Sequence, residues 1–141
     1  MPKIKSLPPL NTKDVLGRGI FSGRRAKRAA NNNISHDLFL EAEGAFSLSV
    51  DRLDHESNET MAEIGDRTAS LRNKKFFGWA TVTVTQASEG DRSVQETPKL
   101  DNIFHADIFL NIPAGSERRD QEKQQANELA AVAKWRQRPT D

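Results

Sequence analysis

The chain contains no cysteine, which removes disulfide stapling, thiolate nucleophiles and every cysteine-ligated zinc or iron–sulfur centre. No apolar run approaches the roughly 18–20 positions that a membrane helix needs. The first residues carry lysines and prolines in place of the apolar stretch of a secretory leader. A cytosolic protein away from membranes is therefore expected. Also missing are internal repeats and any heptad pattern long enough for a coiled coil. Gly17-Arg18-Gly19 lacks the following Lys-Ser or Lys-Thr and the preceding strand of a phosphate loop. Ser47 and Ser49 lack the Gly-x-Ser-x-Gly setting of a strained nucleophile turn. With only three histidines, His36, His55 and His105, no set of residues points to a metal or a cofactor.

What the chain does have is charge, unevenly spread. Hydrophobic residues make up 35% of its 141 positions and charged residues 29%, so one domain with a modest core and solvated ends is expected. Net charge is +1, yet residues 1–30 hold eight bases against the single acid Asp14, a net +7, and residues 31–141 hold 13 bases against 19 acids, a net −6. Either the basic end folds back onto an acidic body or it reaches an outside anion.

The region 76–113 carries the clearest strand patterns. Phe104, Ala106, Ile108, Leu110 and Ile112 share one face of a strand, with His105, Asp107, Phe109 and Asn111 on the other. Ala80, Val82 and Val84 alternate with Trp79, Thr81, Thr83 and Thr85, and Phe46, Leu48 and Val50 with Ser47 and Ser49. The turn at 88–91 predicts that 92–96 pairs back antiparallel. Ser57 or Asn58 is placed to cap an amphipathic helix through Arg72, with Met61, Ile64, Thr68 and Leu71 at helical spacing. Ser116 is placed to cap a last helix over 116–136, its polar first half projecting and its second half docking through Ala126, Leu129, Ala130 and Ala133. The fold class expected is α+β: a mostly antiparallel sheet of about four strands and two packed helices. Residues 1–33 form a basic, partly flexible N-terminal arm, and residues 34–141 a single domain ending in a helix.

Chemistry points to three readings. The first is an interaction or accessory module that engages a protein partner through the basic arm and the projecting helix, with Trp135 and Arg136 as partner-binding residues. The second is a nucleic-acid binder using Arg24, Arg25, Lys27 and Arg28, a cluster suited to phosphates but without interleaved aromatics for stacking. The third is a metal-independent enzyme acting on nucleotides or nucleic acid. There His36 and His105 are acid/base candidates, Asp107 orients His105 two residues along the strand, and Arg52 or Arg92 holds phosphate. That reading requires His36 and His105 to share a cleft. Oligomeric state is left open.

Overall fold

The computed structural model describes residues 7–140. Its six strands are β1 (Val15–Ile20), β2 (Ser47–Arg52), β3 (Gly78–Thr83), β4 (Ser93–Glu96), β5 (His105–Phe109) and β6 (Lys134–Gln137). They form one open antiparallel sheet in the order β4-β5-β2-β1-β3-β6. Four helices, α1 (Gly23–Ala30), α2 (Asn58–Leu71), α3 (Val84–Ala87) and α4 (Arg118–Val132), and a 3-10 turn (His36–Phe39) complete the α+β architecture.

Strand alternation gives the sheet two covered faces. On one, Leu16, Ile20, Leu48, Val50, Ala80, Val82, Ala106 and Ile108 pack under Ala26 and Ala29 of α1, Leu38 and Phe39 of the 3-10 turn, and Ala126 and Leu129 of α4. On the other, Met61, Ile64 and Ala69 of α2 cover Trp79, Leu53, Phe76 and Phe104. The helix α2 begins where the Ser57 side chain accepts the Thr60 N–H, the cap that the sequence pattern implies.

The sheet has six strands in place of about four, and the two additional ones lie where alternation is weakest. β1 reads Val-Leu-Gly-Arg-Gly-Ile, with an arginine interrupting its apolar face and two glycines on the other. β6 has four residues and takes the end of the helix expected over 116–136. A Cβ at Gly78 would lie 2.3 Å from the Arg136 carbonyl oxygen, so the absent side chain is what lets β6 approach β3 there.

Residues 7–33 are not an appended arm. β1 occupies an interior position of the sheet and α1 contributes Ala26 and Ala29 to the main core; residues 1–6 lie outside the described part. Nor does the first half of α4 project. Glu122, 3% exposed, docks it by accepting from the Gly44 N–H, Arg118 and Arg119 at 3.0–3.1 Å. A buried, paired carboxylate holds a helix whose early turns carry little apolar surface.

Candidate functional site

The sheet divides along one line. β1 pairs with β3 over all six of its residues but with β2 only at Leu16↔Arg52 and Gly17↔Asp51. Beyond Gly17 the strands part, and the Arg18 guanidinium bridges from β1 to the Ser49 carbonyl of β2 and the Leu38 carbonyl of the 3-10 turn, at 2.9 Å each, and to Glu41. A cleft of about 530 Å³ lies against this opening, within the size range of small-ligand sites. Its floor includes Gly17, Ser49, Asp51 and His105; α2 and the turn after it bring Thr68, Arg72 and Lys74; the 99–102 loop brings Lys99 and Asn102; Arg25 and Asp37 come from α1 and the 3-10 turn.

His105 is the most constrained polar group on that floor. Its Nδ1 lies 2.8 Å from the Thr97 hydroxyl and 3.2 Å from the Thr97 carbonyl. The carbonyl only accepts, and the Thr97 hydroxyl spends its proton on Asp107 Oδ2 at 2.8 Å. Nδ1 must therefore carry the ring proton, which leaves the lone pair of the neutral imidazole on Nε2. Asp107, 3.9 Å from Nδ1, acts on the ring through Thr97, and Ser47 Oγ donates to its other oxygen at 3.3 Å.

Across the β2–β5 ladder Asp51 stands directly opposite His105, a register that brings Cβ atoms to about 4.5–5.5 Å. Burial pushes the Asp51 carboxyl above its ordinary range, opposed by a hydrogen bond from Asn102 Nδ2 at 2.8 Å and by the nearby His105 and Lys99. A carboxyl biased toward its acid form thus faces an imidazole with a fixed tautomer inside one cleft. Lys99, Arg72 and Lys74 are exposed around it.

The remaining expected site residues are dispersed. His36 is absent from this cleft; it lines a separate hollow and its Nε2 lies 3.1 Å from Asp37. The shared cleft that the two-histidine mechanism required is therefore not formed. Arg52 and Arg92, assigned to phosphate, are interior ties. Arg52, 1% exposed, donates to the Pro8 carbonyl and to Asp14; Arg92, 7% exposed, donates to the Ala87 and Gln86 carbonyls and to Glu128. Both guanidinium groups are buried and turned toward partners within the chain, so they are not presented to an incoming anion. Trp135 packs half-buried on the main core from β6, and Arg136 pairs with Asp54 at 2.8 Å. In α1, Arg25 is half-buried at the cleft, and Arg24, Lys27 and Arg28 are exposed.

Asp51, Thr97, Lys99 and Asn102 went unmarked in the sequence. The alternation that places Ser47 and Ser49 opposite Leu48 and Val50 also places Asp51 on their side, but only the strand register sets it against His105. Among the described residues, no group of three or more His, Asp or Glu is arranged to hold a metal ion, and no helix is long and apolar enough to cross a membrane. Comparison with protein families, with curated proteins and with solved structures finds no match.

Proposed function

We propose that this protein is a nucleotide- or nucleic-acid-directed enzyme that works by acid–base catalysis in the cleft between β1 and β2. The observation that carries the reading is the pairing of His105, its Nδ1–H held by Thr97, with Asp51 directly across the ladder. In hydrolysis of a phosphodiester, a water oxygen bonds to phosphorus as the bond to the leaving oxygen breaks. His105 Nε2 takes the water proton, and the Asp51 carboxyl gives its proton to the leaving oxygen. Arg72, Lys74 and Lys99, all lining the cleft, are the cations placed to meet the phosphate; Arg18 and Arg25 of the same lining are set against Glu41 and Asp37. Relative to the third sequence reading, Asp51 is put in the place of His36.

The test is release of mononucleotides from dinucleotides and single-stranded oligonucleotides by the wild-type protein and by His105→Ala. Loss of the base is expected to lower kcat by about 10²–10⁴. Absence of turnover on any of these substrates, or equal rates in the two proteins, contradicts the reading.

A second reading, a protein-interaction module, draws on exposed apolar side chains: Leu71 at 81%, which lines the cleft, Leu100 at 88% and Phe46 at 76%. It predicts association that Leu71→Ser with Leu100→Ser abolishes and His105→Ala leaves intact, measured by light scattering on the purified protein with candidate partners.

A further inference from the structure

Two hollows flank one ridge. α1 sends Arg25 into the cleft and Arg28, one turn on, into a second hollow of about 460 Å³. The 3-10 turn does the same with adjacent residues: Asp37 lines the cleft and His36 the second hollow. That hollow is lined by amide, hydroxyl and imidazole groups, Asn32, Asn33, Ser35, His36 and Asn127, with Arg28 as its one cation. Side chains at i and i+3 of a helix stand about 5–6 Å apart, so Arg25 and Arg28 bracket the ridge, Arg25 lying 3.9 Å from Asp37 and Arg28 carrying the uncompensated charge. Arg24 and Lys27 are exposed on the same helix, and neither they nor Arg28 has a salt-bridge partner among the described residues.

We infer that the cleft's substrate is a single nucleic-acid strand that crosses this ridge, one nucleotide in the cleft and the next in the amide-lined hollow. This rests on the acid–base reading of the cleft and narrows its substrate class. The charge sits on the ridge, where a backbone phosphate would pass. The hollow beyond it offers paired donors and acceptors, the chemistry that reads base edges through asparagine. An acidic peptide needs cations at every step and has no use for the amides. A duplex keeps its bases stacked and cannot place one in each hollow, whereas an unpaired strand splays them.

The experiment compares binding of adenosine 5′-monophosphate, single-stranded tetra-adenylate in ribo and deoxyribo forms, and a hairpin duplex, by wild type and by Arg28→Ala/Asn127→Ala. Both substituted residues are exposed, so the fold is retained. Tetra-adenylate, in at least one sugar form, is expected to bind at least about 10-fold tighter than the monophosphate. The double variant is expected to lose that gain while binding the monophosphate as before. Its log K against log salt slope should flatten by about 0.7 for the one phosphate contact removed. Equal affinity for monophosphate and tetramer, a gain that persists in the double variant, or a hairpin that binds as tightly as the tetramer overturns the strand path and leaves the cleft reading standing. If neither monophosphate nor tetramer binds, both fall.

Discussion

Thr97 contributes no charge, yet it decides what His105 can do. Its hydroxyl accepts from Nδ1 and passes its own proton to Asp107, so Thr97→Val removes both links and leaves only the Thr97 carbonyl, at 3.2 Å, to hold the ring. Nitrogen-15 shifts of His105 should report the Nδ1–H tautomer in the wild type and a mixture in the valine variant. Turnover should fall by roughly 10-fold through misorientation, less than in His105→Ala. Asp51 gives a stability signature. Its carboxyl is raised in the folded protein, so from the ordinary value of 3.8 up to the raised one the folded state holds more protons than the unfolded state. Stability from this group is full below that window and is lost as pH rises through it. Asp51→Asn should flatten that decline in denaturant titrations run at a series of pH values.

Glu122 behaves with the opposite sign. Burial would raise its carboxyl, but hydrogen bonds from Arg119, the Gly44 N–H and Arg118 outweigh burial and hold it below the ordinary value of 4.5. Its contribution is present above 4.5 and is lost as pH falls through the lowered folded value. Replacing it with alanine leaves Arg118 beside an empty site and should cost about 3–5 kcal/mol, read from urea unfolding.

At the level of elements, the sequence pattern located what alternation or helical spacing could reveal. β2, β3, β5 and α2 lie at the expected places within a few residues, because each carries an apolar face with the right period, and β4, Ser-Val-Gln-Glu, is placed by the turn before it. β1 and β6 fell outside that signal. In β1 the positions facing away from the main core include Gly17 and Gly19, whose missing side chains leave room for the rings of Trp79 and Phe21, so glycine there reflects packing and not a turn. β6 follows α4 after a single residue, Ala133, and Trp135 is the one apolar residue of its four, too short a pattern to separate from the helix. The first half of α4 misled for a different reason: its docking residue, Glu122, is a charged one, and apolar spacing cannot find a buried ion pair. Gly78→Ala should test the β3–β6 contact. The added methyl meets the Arg136 carbonyl, backbone that cannot give way cheaply, so a loss of about 1–3 kcal/mol is expected, with hydrogen-exchange protection falling first in β6.

Across the whole molecule, part of the polarised charge is met within the chain itself. Arg18 is turned inward to Glu41, and Arg25 lies 3.9 Å from Asp37, so part of the basic end is indeed neutralised by the acidic body. Arg24, Lys27 and Arg28 are left exposed beside the cleft that the splayed sheet opens. The candidate site was half visible in the sequence: His105 and Asp107 share a strand face by simple parity, whereas Asp51 enters only through the β2–β5 register and Thr97 only through the loop that follows β4. Such contacts depend on which strands become neighbours, and in this sheet β2 and β5 are separated by 52 residues at their nearest ends.

The pH dependence of phosphodiester hydrolysis on a single-stranded oligonucleotide, compared among wild type, His105→Gln and Asp51→Asn, tests the acid–base cleft most directly. The wild type should give a bell, because His105 must be neutral to accept a proton and Asp51 must be protonated to donate one. His105→Gln should erase the acidic limb and Asp51→Asn the alkaline limb, each with kcat reduced by about 10² or more. A wild-type rate that does not vary with pH, or a profile that both variants leave unchanged, would contradict the account.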